Sequence, residues 1–221
     1  MNRGSSLQEL KAGGISEVVS WGWDAVRLVD ELERIDYQVI DDLRPEDEGE
    51  TVSWARIRFK HPETWRILYK TPGKVEGYWS FVPLFKEGFE LLKEGRIAEG
   101  QISEDMIPEA GVKGCFEMFF TMIALNAEYR GGIGIEMLYS SFLEVVGKLA
   151  SEGVFFEEAA ANAYTPAGVS ICKSFGLKHV ADAPYRGQIY AGKFSTLLAM
   201  MAQNRNEYPR ELYNAKFGKT H

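Results

Sequence analysis

The 221-residue sequence predicts an α/β fold, and three features carry that expectation. The apolar run 115–125, rich in Phe, Met and Ile, is long enough for a buried strand. It leads through Arg130-Gly131-Gly132-Ile133-Gly134 into an amphipathic helix in which Ile135, Leu138, Phe142, Val145 and Leu149 recur at helical spacing. Shorter strand-like runs at 65–69, 75–84, 179–181 and 188–194 flank this unit, with helical patterns between them.

In chain order, residues 1–14 read as a flexible lead-in ending at Gly13-Gly14. The stretch 15–35 reads as a helix built on Val18, Val19, Ala25, Val26, Val29 and Leu32, with Ser16 near its start and Gly22 a weak point. Trp21 and Trp23 within it are expected to pack on the main domain; the alternative is a pocket wall or a homodimer contact. Residues 37–40 form a short strand candidate closed by an acidic loop; over 51–59 periodicity does not separate helix from strand, helix is preferred, and His61-Pro62 ends the element. Thr71-Pro72-Gly73-Lys74 joins the strands 65–69 and 75–84 as a hairpin-like turn. A helix over 86–93 and a polar connection over 101–114 lead to the long strand. Gly153 ends the central helix, and Val154-Phe155-Phe156 opens a strand running through Glu157 and Glu158. Thr165 and Pro166 make a cap and first turn for the next helix, and Gly176 its terminator. Residues 195–203 read as a helix and 204–221 as a polar tail.

Composition narrows the function classes. A hydrophobic content of 45% supports a sizeable core and one main domain with appendages: an N-terminal arm and helix over 1–34, the domain itself over 35–194, and a C-terminal helix and tail over 195–221. The 25 Lys plus Arg against 32 Asp plus Glu give a formal charge of -7; without a basic stripe this argues against nucleic-acid or anionic-membrane binding. No apolar run approaches membrane-spanning length, and the opening residues lack the apolar segment of a signal peptide, so a cytoplasmic protein is expected. Cys115 and Cys172 lack metal-ligand spacing and His61, His179 and His221 are scattered, so reduced thiols and no metal site are expected.

Strand, glycine turn and helix make a phosphate-binding arrangement. Gly131, Gly132 and Gly134 carry no side chain to hold a ligand off the backbone, and N–H groups at a helix start can point at an anion. The dinucleotide fingerprint would need glycine where Met137 stands, and a mononucleotide loop would need Lys followed by Ser or Thr. The stretch instead resembles motif A of the general-control-related N-acetyltransferase (GNAT) superfamily: Arg or Gln, two residues, Gly, any residue, Gly or Ala. Gly132 and Gly134 match the small positions; Tyr129 replaces the first, with Arg130 beside it as a nearby cation. The stretch 164–177 resembles motif B, in which a helix start precedes a Tyr, three residues and a Gly-Phe pair; counting back from Gly176, Cys172 stands at the tyrosine. The phrase Gly77-Tyr78-Trp79-Ser80-Phe81 also looks like the third-strand phrase of many bacterial members.

This resemblance implies a GNAT-like central mixed, largely antiparallel sheet flanked by helices, with residues 35–194 as the acyl-CoA-binding domain. It further implies acetyl-CoA as co-substrate, with its pyrophosphate on the N–H groups of residues 130–135 (Arg130, Gly131, Gly132, Ile133, Gly134, Ile135), Thr165 as a further contact, and the backbone near Leu125 on the pantetheine or thioester. Within the strand 115–125, Glu117 is a carboxylate in apolar company, which needs a partner, solvent or a raised pKa; the last suits a general base for an amine. Cys172 is a candidate proton donor to the departing thiolate, against the alternative of an inert core thiol, and Tyr190 is a second candidate. The function implied is acetyl transfer from acetyl-CoA to a primary amine on a small molecule or peptide. A longer acyl donor, a non-catalytic acyl-CoA binder or sensor, and an interaction module with an incidental glycine turn are the alternatives.

Overall fold

The computed structural model describes residues 10–41, 43, 44, 47, 49–130, 132–203 and 205–218. Its centre is a seven-stranded sheet of order β1-β2-β3-β4-β5-β7-β6, formed by β1 (Lys11–Gly13), β2 (Trp65–Tyr69), β3 (Val75–Leu84), β4 (Gly114–Leu125), β5 (Val154–Ala163), β6 (Lys178–Asp182) and β7 (Gln188–Lys193). β1–β2, β2–β3, β5–β7 and β6–β7 pair antiparallel, whereas β4 and β5 run parallel. The parallel pair needs a crossover, and α5 (Ile133–Ser151) provides it. Further α-helices among the described residues are α1 (Ile15–Ser20), α2 (Ala25–Val39), α3 (Thr51–Lys60), α4 (Lys86–Lys93), α6 (Pro166–Ser174), α7 (Phe194–Ala202) and α8 (Tyr208–Phe217). The mixed, largely antiparallel sheet flanked by helices is thus the fold that the sequence predicts.

The chain gathers into two compact units. The first comprises the chain up to Leu43, Glu50–Ser80 and Met122–Phe142. In it Leu28, Leu32 and Ile35 of α2 and Val18 of α1 pack with Trp65, Ile67, Val75, Tyr78 and Ala124 of the strands. Trp21 packs on this core and meets Tyr69 edge-on at 4.9 Å, the packing role expected of it. The second unit comprises Arg44–Gly49, Phe81–Thr121 and Leu143–His221. Phe156 sits at its centre, 5.5 Å from both Phe81 and Phe194, ring to ring.

Four expectations are corrected. Residues 11–13 belong not to a loose lead-in but to β1, which pairs with β2 from Lys11↔Tyr69 to Gly13↔Ile67. The helix expected over 15–35 breaks at Trp21-Gly22, where Gly22 takes φ +76°, and restarts at Asp24, whose side chain accepts the Arg27 N–H. Residues 37–39 are not a strand: α2 continues to Val39, with Asp36 accepting the Tyr78 hydroxyl. The polar tail contains α8, whose Tyr213 is buried and accepts the Phe156 N–H at 2.8 Å.

Candidate functional site

In the first unit, β4 ends against β3 through a set of short contacts. The Asn126 N–H donates to the Glu76 carbonyl at 2.8 Å, and the Asn126 side-chain amide to the Glu76 carboxylate at 2.7 Å. Lys74 completes the Glu76 carboxylate at 2.7 Å, so a side chain only 2% exposed is partnered on both oxygens. A Cβ at Gly77 would lie 2.6 Å from the Ala124 carbonyl and 2.5 Å from the Leu125 side chain, so glycine alone allows the strands this approach. After Leu125 the chain makes one tight turn over residues 127–129 and then enters the glycine corner, where Arg130 Nε donates back to the Leu125 carbonyl at 3.0 Å.

The corner's glycines have different duties. Gly132 is exposed, takes φ +60°, and has nothing within 4 Å of where a Cβ would stand. Gly134 is buried against the preceding turn: its Cβ would be 2.5 Å from the Tyr129 carbonyl. Gly134 therefore closes the corner internally, while Gly132 leaves its outer side uncrowded. Gly131 lies outside the described residues. Ile133, Gly134 and Ile135 form the first turn of α5, where N–H groups have no acceptor one turn back in their own helix, and the helix dipole favours an anion. This backbone fits a diphosphate on its Gly132 side.

The second unit holds Glu117, Cys172, Thr165 and Tyr190. Pairing of β4 with β5 shifts register here: Phe116 faces Phe156 but Met118 faces Ala159, so Glu157 and Glu158 together oppose Glu117. That is a β-bulge, and a bulge leaves backbone groups out of the ladder. Glu117 is 6% exposed and accepts the Glu158 N–H at 2.7 Å. Burial, with Glu157 and Glu158 nearby, raises its carboxyl from the usual 4.5 to about 7; the Glu158 N–H and the charge of Lys86 oppose that shift. The pairing with β5 runs as far as Phe120↔Ala161, while β4 continues through residues 121–125.

Thr165 caps α6 by accepting the Gly168 N–H at 3.1 Å, and Gly176 follows that helix at φ +76°, as the sequence predicts. Cys172 is buried within α6, and burial pushes its thiol up to about 11. The Tyr190 ring is buried in β7, and its hydroxyl donates to Gln188 Oε1 at 3.3 Å. Sequence reasoning missed the Glu76–Asn126 pair. The signal was available: Glu76 is an acid in an apolar strand, as Glu117 is.

Among the described residues no group of His, Cys, Asp or Glu is arranged to hold a metal ion, and no helix is long and apolar enough to cross a membrane. The fold, with its parallel pair joined through α5, is similar to that of a solved acetyltransferase. An acetyltransferase from Streptococcus agalactiae 2603 superposes over 85% of this chain and 99% of its own at 12% identity, with a TM-score of 0.51. Ard1 from Thermoplasma volcanium aligns over 83% of this chain and 95% of its own at 8% identity and TM-score 0.47. Naa50 from Arabidopsis thaliana, in complex with the bisubstrate analogue CoA-Ac-MVNAL, aligns over 83% and 98% at 15% identity and TM-score 0.42. No family model matches the sequence, and no curated protein sequence matches it. At 12% identity the Streptococcus agalactiae structure speaks for the fold alone.

Proposed function

We propose that the protein is an N-acetyltransferase that moves an acetyl group from acetyl-CoA to a primary amine by direct attack, with residues 35–194 as the acyl-CoA-binding domain. The observation that carries this reading is the glycine corner: a left-handed, uncrowded Gly132 directly before the first turn of α5. Its N–H groups at Ile133, Gly134 and Ile135, with Gly131, Arg130 and Thr165, would hold the diphosphate, and the backbone around Leu125 the pantetheine arm. Bound acetyl-CoA supplies an activated thioester carbonyl. Glu117 would take the proton from the attacking amine, a role that suits a carboxyl poised near neutrality. Cys172 or Tyr190 would return a proton to the thiolate.

The test has two parts. Calorimetry with coenzyme A should give saturable binding that Gly132→Val weakens at least about tenfold, since valine resists φ +60° and would cover the N–H groups. Thiol release from acetyl-CoA should then rise with at least one member of a panel of primary amines. Unchanged coenzyme A affinity in Gly132→Val would remove the corner from the site. A second reading, a non-catalytic acyl-CoA binder, is favoured by the buried Cys172 thiol at the position of the family's proton donor. It predicts coenzyme A binding with no amine-dependent thiol release. Repeating the assay with a medium-chain acyl-CoA tests for a longer donor.

A further inference from the structure

Arg58, in α3, is a charge without a counter-charge. The residue is 6% exposed, its Nε is buried without a hydrogen-bond acceptor, and among the described residues no carboxylate stands within 4.0 Å of its guanidinium. The Asp36 carboxylate is engaged by the Tyr78 hydroxyl at 2.7 and 2.5 Å. What surrounds the guanidinium is aromatic: its carbon lies 5.3 Å from the Trp54 ring centre and 6.0 Å from that of Tyr78. Aromatic faces attract the cation but do not satisfy donors in the plane of the fork. The Arg58 backbone carbonyl accepts the Trp65 indole N–H at 2.9 Å. A buried charge with unmatched donors is costly, and an anion supplied from outside would relieve it.

We infer that Arg58, beside the rings of Trp54 and Tyr78, is the recognition residue of a carboxylate-binding site. A carboxylate is the anion that fits, because its single charge matches one guanidinium and its two oxygens match two parallel N–H groups. A phosphate dianion would leave one negative charge unpaired beside apolar walls.

The site is tested on the full-length protein by titration while following the Arg58 Nε–H resonance, assigned by its loss in Arg58→Lys. Acetate should shift it saturably, and acetamide, which is neutral and of similar shape, should not. No shift with acetate, or a shift with inorganic phosphate alone, would overturn the site.

Discussion

Glu76 and Glu117 are both carboxylates buried in otherwise apolar strands, yet their surroundings give them opposite characters. Glu76 has Lys74 and the Asn126 amide on its two oxygens, each at 2.7 Å. Glu117 has one backbone N–H, from a bulge that sets two further glutamates opposite it. The first is a clamp that ties the exit of β4 to β3, and the second is a carboxyl raised to about 7. Burial short of partners is what raises the Glu117 carboxyl.

Exchange of the acidic oxygen for an amide separates the two most widely. Glu117→Gln should lower kcat/KM for amine acetylation by on the order of 100-fold, the lower end of what a general base contributes. The same substitution at Glu76 should leave turnover within a few-fold once coenzyme A is saturating. Equal losses at both positions would erase the distinction.

Stability should move the other way. Glu76→Ala leaves the Asn126 amide without its acceptor, at a cost of about 1–3 kcal/mol in urea unfolding. At Glu117 the sign depends on pH. Its folded carboxyl titrates near 7 against 4.5 in the unfolded chain, so between those values the folded state binds more protons. Its contribution is therefore fully present below about pH 4.5 and is lost as pH rises through about 7. Glu117→Gln keeps an acceptor for the Glu158 N–H and removes this slope, so the variant should gain on wild type at about pH 8 and lose that gain at about pH 5. A gain that does not depend on pH would deny that Glu117 titrates in this window.

Smaller effects sharpen the picture at the glycine corner. Gly134→Ala should destabilise by about 1–3 kcal/mol, because the new methyl meets the Tyr129 carbonyl. Gly132→Ala meets open space and bears only the left-handed penalty, about 1–2 kcal/mol. Thermal unfolding of the pair gives the order; a Gly132→Ala variant less stable than Gly134→Ala would reverse the duties assigned to them.

What could be read from the sequence was local. The turn at Thr71-Pro72-Gly73-Lys74, the Thr165 cap with Pro166 behind it, the Gly176 stop and the helix over Lys86–Lys93 each depend on dihedral preferences or periodicity within a few residues. The glycine corner was legible for the same reason, and with it the fold. Three elements were not. β1 is too short to have a period and exists because Tyr69, Leu68 and Ile67 offer it a partner. The end of α2 alternates like a strand, but Leu28, Leu32 and Ile35 carry the helix past it into the core, where Asp36 meets Tyr78. α8 looks polar along most of its length, and what anchors it is one tyrosine reaching a backbone N–H of β5.

The sequence by itself determined that Glu117 is an acid in apolar company and that glycines stand before a helix. Tertiary structure alone decided that Glu117 faces a bulge, that Gly134 is spent on closing the turn while Gly132 is left open, and that Arg58 is buried beside the rings of Trp54 and Tyr78. The physical reason is that dihedral preference and periodicity are properties of neighbours in the chain. Desolvation, charge pairing and steric approach depend on residues brought together from far apart in the sequence.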